Sequence, residues 1–195
     1  MLINYFGHSY FLIEGNEYSI ALDPFKNVGF KEIEVKADYV FCSHQHFDHN
    51  NVALVKGAKG VKNGKSFEII PCYHDEKSGA LRGVNDVLLF SLDGFKIAFL
   101  GDLGEYSNEG LIDKLTGVDL LLIPVGGKYT IDENGAYEYA VKTKAKAVVP
   151  MHYKAGGSTI DIKSVDAFLN KFESSVKVNS PFEFCGQTGI INIRF

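Results

Sequence analysis

The chain has 195 residues, of which 46% are hydrophobic and 23% are charged, with a net charge of −4 and three cysteines. This composition supports a folded core and argues against an extensively disordered chain. The negative balance disfavours a broad nucleic-acid interface, which needs a basic surface. Three widely spaced cysteines argue against a disulfide framework, and no segment is typical of a signal peptide or membrane span. We therefore expect one cytoplasmic domain over residues 1–195.

The first half of the chain consists of short runs of β-forming residues. Strands are predicted at residues 3–6, 10–14, 18–22, 39–42, 67–73, 87–92 and 95–100. The dipeptides Asn63-Gly64 and Asp93-Gly94 are typical of tight hairpin turns. Antiparallel pairing is therefore expected on either side of both dipeptides.

The second half alternates helical and strand patterns. Helices are predicted near residues 108–115, 134–144 and 162–172, between strands at 120–124, 147–150, 176–179 and 190–193. This alternation indicates a fold of the α/β class. No linker is long enough to mark a domain boundary.

Four apolar runs end in side chains that can bind a metal ion. They lead into His44, His74, Asp102 and His152. Rigid strands that present polar side chains at one sheet edge are a common way to build a functional site. We therefore expect these four side chains to lie close together.

The segment from His44 to His49 has the pattern His-x-His-x-Asp-His. For this composition, chance would produce the pattern in about three such chains in ten thousand. His44 and His46 can reach one metal ion from the same side of an extended segment, while Asp48 and His49 can face a second ion. Imidazole and carboxylate ligands suit zinc, iron, manganese or nickel. A polar surface loop is the less specific interpretation, and three histidines with an aspartate in six residues disfavour it.

Together with His74, Asp102 and His152, this motif resembles the metallo-β-lactamase superfamily. Supporting segments lie at residues 7–9, 21–25, 82–85, 100–104, 124–130 and 149–153. They are similar to the branch that includes the ascorbate-phosphate lactonases and the N-acyl-phosphatidylethanolamine phospholipase D enzymes. The resemblance implies an α/β fold, a four-layer αββα sandwich with mixed sheets, and a metal site at one edge.

The resemblance also implies a role for each residue of the motif. One metal ion would be held by His44, His46 and His74, the other by Asp48, His49 and His152, with Asp102 and a hydroxide bridging the two. Such a site implies a hydrolase that cleaves an ester-like bond, namely a phosphodiester, a lactone or a carboxylic ester, in a small anionic molecule. The expected cofactors are two divalent ions, zinc before manganese, iron or nickel. The alternative is a non-catalytic metal-binding or ligand-sensing domain, although a closed structural site needs only four ligands.

Several residues near the motif have two interpretations each. His8 is either a proton donor to the leaving group or a packed histidine, and Asp23 either supports the histidine loop from behind or is a plain turn residue. Lys128 and Tyr129 either contact an anionic substrate or belong to a solvated loop. The polar segment 75–86 is expected to form a rim or lid. Its Arg82 either binds the substrate's anionic group or, the favoured interpretation, pins the loop by pairing with a carboxylate.

Overall fold

The computed structural model describes residues 1–195 and contains mostly short strands. In chain order they are β1 (Leu2–Tyr5), β2 (Phe11–Glu14), β3 (Ser19–Leu22), β4 (Val35–Lys36), β5 (Tyr39–Phe41), β6 (Val55–Lys56), β7 (Lys59–Gly60), β8 (Phe67–Tyr73), β9 (Val84–Leu92), β10 (Phe95–Phe99), β11 (Leu120–Pro124), β12 (Ala147–Met151), β13 (Val176–Asn179), β14 (Phe182–Glu183) and β15 (Gly189–Arg194). The helices are α1 (Glu109–Leu115), α2 (Glu133–Lys142) and α3 (Asp166–Leu169), and Val52–Leu54 form a turn of 3-10 helix.

Two mixed sheets carry most of these strands. The first has the order β14-β1-β2-β3-β5-β7, and the second has the order β13-β15-β12-β11-β10-β9-β8. The rings of Phe11 and Phe41 in the first sheet meet the ring of Phe99 in the second. On the opposite face of the first sheet, Leu12 and Ala21 pack in a separate apolar cluster. Both faces of the first sheet are therefore covered. This explains why its strands have apolar residues at consecutive positions and not only at alternate ones.

Helices α1 and α2 connect parallel strands of the second sheet and cover its outer face. Each begins where a side chain accepts hydrogen bonds from free backbone N–H groups: Asn108 caps α1 and Asp132 caps α2. Outside the first sheet, the covering layer is a loop that includes Phe25 and Val28, together with the 3-10 turn. The α/β sandwich of two mixed sheets predicted from the sequence is confirmed. None of the helices combines the length and the apolar character that crossing a bilayer requires.

The structure corrects two predictions of local structure. The predicted hairpin at Asp93-Gly94 is confirmed, since β9 and β10 pair antiparallel. The prediction of a hairpin at Asn63-Gly64 is wrong. Strands β7 and β8 belong to different sheets, and Asn63 instead accepts a hydrogen bond from the Ile69 backbone of β8. The third helix is confined to Asp166–Leu169, because backbone bonds hold the preceding residues 162–164 extended against Lys154 and Gly126.

Candidate metal centre

The ends of four strands deliver polar side chains to one place, as expected from the sequence. His74 directly follows β8 and His152 directly follows β12, while His44 and Asp102 each lie three residues beyond β5 and β10. All four side chains are buried. The loop after β5 adds His46, Asp48 and His49, so the seven residues singled out by the sequence converge.

The first cluster consists of His44, His46 and His74. One potential ligand atom from each ring lies within 4.8 Å of the others. His44 and His74 are buried, whereas His46 is exposed. The ring of His44 is oriented by a hydrogen bond of 2.9 Å between its Nδ1 and Ser43 Oγ, and its other nitrogen, Nε2, is buried without a partner.

The second cluster consists of His8, Asp48, His49 and His152, again with one ligand atom each within 4.8 Å. The Nδ1 atom of His49 donates to Asp23 Oδ2 at 2.7 Å, and both side chains are fully buried. His8 was expected near this set, and its Nε2 atom lies 3.3 Å from Asp48 Oδ2.

Asp23 accepts hydrogen bonds from three donors at the base of the site. They are the Ser43 backbone N–H, the Ser43 hydroxyl and the His49 ring. A buried carboxylate with such partners fixes the ring orientation and tautomer of a metal-binding histidine. This geometry supports the role of Asp23 behind the histidine loop rather than that of a plain turn residue.

Asp102 lies between the two clusters. Its Oδ2 atom is 3.4 Å from His74 Nε2 in the first cluster, and 3.2 Å from the Nε2 atoms of both His49 and His152 in the second. The Asp102 backbone N–H is held by Asn85 Oδ1 at 2.8 Å. The preceding Gly101 has a φ of 54°, and a Cβ there would collide with the Ser43 side chain. Sequence reasoning did not assign a role to Asn85, whose side chain connects β9 to this turn.

The electrostatics of the site fit cations. Burial lowers the pKa of His8 to about 3 and that of His44 to about 2, so both rings are neutral near pH 7 and offer a lone pair. Burial opposes charge on Asp102, but His152 and His49 outweigh it and hold the pKa of that carboxyl well below its ordinary value. His44 Nε2 and Asp102 Oδ1 are buried without a hydrogen-bond partner. Because unpaired buried polar atoms are costly, this donor set fits divalent metal ions.

Three residues of the site adopt a left-handed backbone that non-glycine residues rarely adopt. The φ angles are 54° for His8, 44° for Asp23 and 52° for His152. The His152 N–H donates to the His8 carbonyl at 2.7 Å, which ties two of these residues together. Such conformations persist where the surrounding structure overdetermines them, and they are concentrated at functional sites.

A family model described as the beta-lactamase superfamily domain matches residues 2–152. The chain belongs to the beta-lactamase superfamily. A relative from Bacillus pumilus, named a UPF0173 metal-dependent hydrolase, is 32% identical, with 78% of this chain and 86% of the relative covered. A relative with the same description from Archaeoglobus fulgidus is 28% identical, with 78% and 83% covered.

Two solved structures have the same fold. A protein from Thermotoga maritima, proposed to be a Zn-dependent hydrolase of the metallo-β-lactamase superfamily, is 30% identical with a TM-score of 0.79, and the match covers 99% of each chain. Igni18, a metallo hydrolase from Ignicoccus hospitalis, has a TM-score of 0.61 at 24% identity, with 87% of this chain and 89% of that chain covered. At that identity the second likeness shows the fold alone.

A cavity of about 660 Å³ opens above the clusters of this superfamily member. It is lined by Gln45, His46, Phe47, Asp48, His74, Arg82, Asp102, Tyr129, His152, Thr159, Ile160 and Asp161. His8 does not line this cavity, because its ring is buried behind Asp48. The cavity therefore exposes part of both clusters and Asp102 to a ligand.

The favoured interpretation of Arg82 as a partner of a carboxylate is wrong. Its Nη2 atom donates to the backbone carbonyl of Lys128 at 3.0 Å, and no carboxylate oxygen lies within 4.0 Å of its guanidinium. The segment is instead organised around Asp75, whose carboxylate accepts backbone N–H bonds from Lys77, Gly79, Leu81 and Arg82. Lys128 pairs with Asp161, which lines the cavity.

Proposed function

We propose that this chain is a metal-dependent hydrolase in which residues 1–195 form one catalytic unit and two divalent ions share Asp102. The first ion would be held by His44, His46 and His74, and the second by Asp48, His49 and His152. The observation that carries this proposal is the position of Asp102 Oδ2, within 3.4 Å of ring nitrogens from both clusters. Without an ion in the first cluster, the buried His44 Nε2 atom would remain without a partner.

Zinc is the metal we propose, with manganese, iron and nickel as alternatives. The donor set consists of five imidazoles and two carboxylates, which suits all four metals. The structural relative from Thermotoga maritima is itself described as Zn-dependent.

Two divalent ions in this arrangement would lower the pKa of a water molecule towards neutrality and stabilise negative charge on the substrate oxygen. Asp48 lines the cavity and is partly exposed, so its carboxylate can accept a hydrogen bond from the attacking water. Burial opposes charge on Asp48, but the hydrogen bond from His8 and the charge of His49 lower its pKa, which keeps it an acceptor. This chemistry supports cleavage of a phosphodiester, a lactone or a carboxylic ester.

His8 acts on Asp48 rather than on the substrate in this proposal. The His8 ring is buried, and its Nε2 atom lies 3.3 Å from Asp48 Oδ2 and 3.1 Å from His49 Nε2. Of the two interpretations from the sequence, this position supports the packed histidine that holds Asp48 in place.

The test is a substrate screen with three samples of the protein: zinc-loaded, chelator-treated and zinc-loaded Asp48→Ala. Generic phosphodiester, lactone, carboxylic ester and thioester substrates would be supplied to each. The proposal expects turnover of at least one class by the zinc-loaded wild type, loss on chelation, and recovery when metal is restored. Turnover that survives chelation, or a fully metal-loaded protein inactive on every class, would contradict it.

A further inference from the structure

Arg82 is the one Lys or Arg residue that lines the cavity above the metal centre. The aspartates that line the same cavity already have partners: Asp48 and Asp102 face the histidine clusters, and Asp161 pairs with Lys128. No such partner exists for Arg82, because no carboxylate oxygen lies within 4.0 Å of its guanidinium. The positive charge of Arg82 is therefore uncompensated inside a ligand-sized cavity.

The contacts of Arg82 hold it in place without neutralising it. Its Nη2 atom donates to the Lys128 carbonyl at 3.0 Å, and its guanidinium carbon lies 5.6 Å from the centre of the Tyr129 ring. Both partners are uncharged. A guanidinium has five N–H donors, and one of them is used here, so the others remain for a ligand.

The backbone on both sides of this contact is fixed before any ligand arrives. The Arg82 N–H donates to Asp75 Oδ2 at 2.8 Å, within the set of four backbone bonds that the Asp75 carboxylate accepts. Lys128, whose carbonyl receives the guanidinium, adopts a left-handed backbone with a φ of 61°. An anion-binding group fixed in this way loses little conformational entropy on binding, which favours affinity.

The same cavity offers an apolar surface. Phe47, within the His44–His49 motif, is 57% exposed, and both Phe47 and Ile160 line the cavity. Binding of a ligand that covers an exposed phenyl ring is favourable, because it removes apolar surface from water. The volume of about 660 Å³ is within the ordinary range for small-molecule sites.

We propose that Arg82 is a specificity-determining residue that binds an anionic oxygen group of the substrate, separate from the bond that is cleaved. The apolar part of that substrate packs on Phe47 and Ile160, so the substrate class is an ester that carries both a hydrocarbon portion and a carboxylate-like anion. This inference rests on the proposed hydrolytic function, and binding tests it separately from turnover.

The first experiment measures binding to the zinc-loaded protein by calorimetry. The probes are 4-phenylbutyrate and its uncharged analogue 4-phenylbutanamide. The wild type should bind the carboxylate at least tenfold more tightly, because a charge-assisted pair with a guanidinium is stronger than a neutral hydrogen bond. Arg82→Gln should lose most of that preference, while Arg194→Gln, which changes the only other arginine at a position outside the cavity, should keep it.

Two outcomes of the binding experiment overturn the proposal. One is a wild type that shows no preference for the carboxylate, and the other is an Arg82→Gln variant that keeps the full preference. If Arg82→Gln does not fold, Arg82→Lys replaces it. The single ammonium cannot span both the Lys128 carbonyl and a ligand, so a smaller but measurable loss of preference is expected.

The second experiment compares turnover of 4-nitrophenyl butyrate and the mono-4-nitrophenyl ester of glutaric acid. Arg82→Gln should raise KM at least tenfold for the anionic ester, with kcat within threefold of wild type and little change for the neutral ester. An equal rise for both esters means that Arg82 acts on the structure alone, which overturns the inference. A zinc-loaded wild type that cleaves neither compound contradicts the hydrolysis of carboxylic esters, while the binding experiment still decides the role of Arg82.

Discussion

The two clusters of the candidate metal centre differ in how firmly the protein holds them. In the second cluster His49 is fully buried and donates to the buried Asp23 carboxylate. In the first cluster His46 is exposed and lines the cavity, and His44 contacts the Asp23 carboxylate only indirectly, through the Ser43 hydroxyl. Ring orientation fixed by a carboxylate strengthens metal binding. We therefore expect the second cluster to hold its ion more tightly and the first to exchange its ion with solvent.

The largest expected effect comes from Asp48, which belongs to the firmly held cluster but lines the cavity. Asp48→Ala should reduce turnover by more than about a hundredfold while the thermal unfolding midpoint changes little, since Asp48 lies on a loop and is partly exposed. Asp161→Ala is the matched control, because it removes an exposed carboxylate from the same cavity and should leave most activity. Near wild-type turnover by Asp48→Ala would require a different assignment of roles.

Asp23→Asn tests whether the carboxylate causes the difference between the clusters. The amide keeps the size of the side chain but removes the charge that fixes the His49 ring, so affinity for the more tightly bound ion should fall by about 10- to 100-fold. Competitive titration with a chromophoric chelator would measure both affinities. Asp38→Asn, at an exposed carboxylate that bonds to Ser19, is the control. Unchanged metal affinities in Asp23→Asn would contradict the claim that the Asp23 carboxylate makes the second cluster bind its ion more tightly.

The metal-free protein should lose stability as pH falls from 6.5 towards 4. Burial lowers the pKa of His44 to about 2, that of His8 to about 3 and that of His74 below its ordinary value, so below 6.5 the unfolded chain binds protons that the folded chain excludes. Each excluded proton costs about 1.4 kcal/mol per pH unit. His49 has a raised pKa and is protonated in both states below 6.5, so its contribution stays constant in this range.

Urea unfolding of chelator-treated protein at pH 6.5, 5.5 and 4.5 would measure this loss. His44→Gln, which removes one of the three rings with a lowered pKa, should show a shallower dependence. A free energy of unfolding that does not change over this range would contradict the expectation that the folded protein holds these rings neutral.

The smallest expected effect concerns Phe47, on the cavity side of the first cluster. Because its ring is 57% exposed, Phe47→Ala should change the free energy of unfolding by less than about 0.5 kcal/mol. KM for an ester with an apolar acyl chain should rise a few-fold, since the substrate loses an apolar contact. Leu81→Ala, at a similarly exposed apolar residue that does not line this cavity, is the control for both measurements.

Short sequence patterns predicted the features that residues close together in the chain determine, namely the histidine motif, the strands that lead to it and one tight turn. The His44–His49 motif is contiguous, and the apolar runs before His74, Asp102 and His152 are long enough to read as strands. Their convergence follows from strand ends that meet at one place. The Asp93-Gly94 hairpin was found for the same reason, because a tight turn is specified by its own residues.

The features that the sequence did not predict depend on contacts between residues far apart in the chain. Asn63-Gly64 has the signal of a hairpin, yet the chain crosses there from one sheet to the other. The third helix is shortened by backbone bonds to Gly126 and Lys154. The role of Asn85 and the carbonyl partner of Arg82 depend on residues 17 and 46 positions away, which no local pattern encodes.

Metal stoichiometry is the most direct test of the central claim that Asp102 joins two ions. Purified protein would be stripped with a chelator, titrated with zinc and analysed by elemental mass spectrometry after removal of free metal. The account predicts two ions per wild-type chain, and weaker binding of both in Asp102→Ala. Well-folded wild type that never takes up more than one ion at any excess of metal would contradict it.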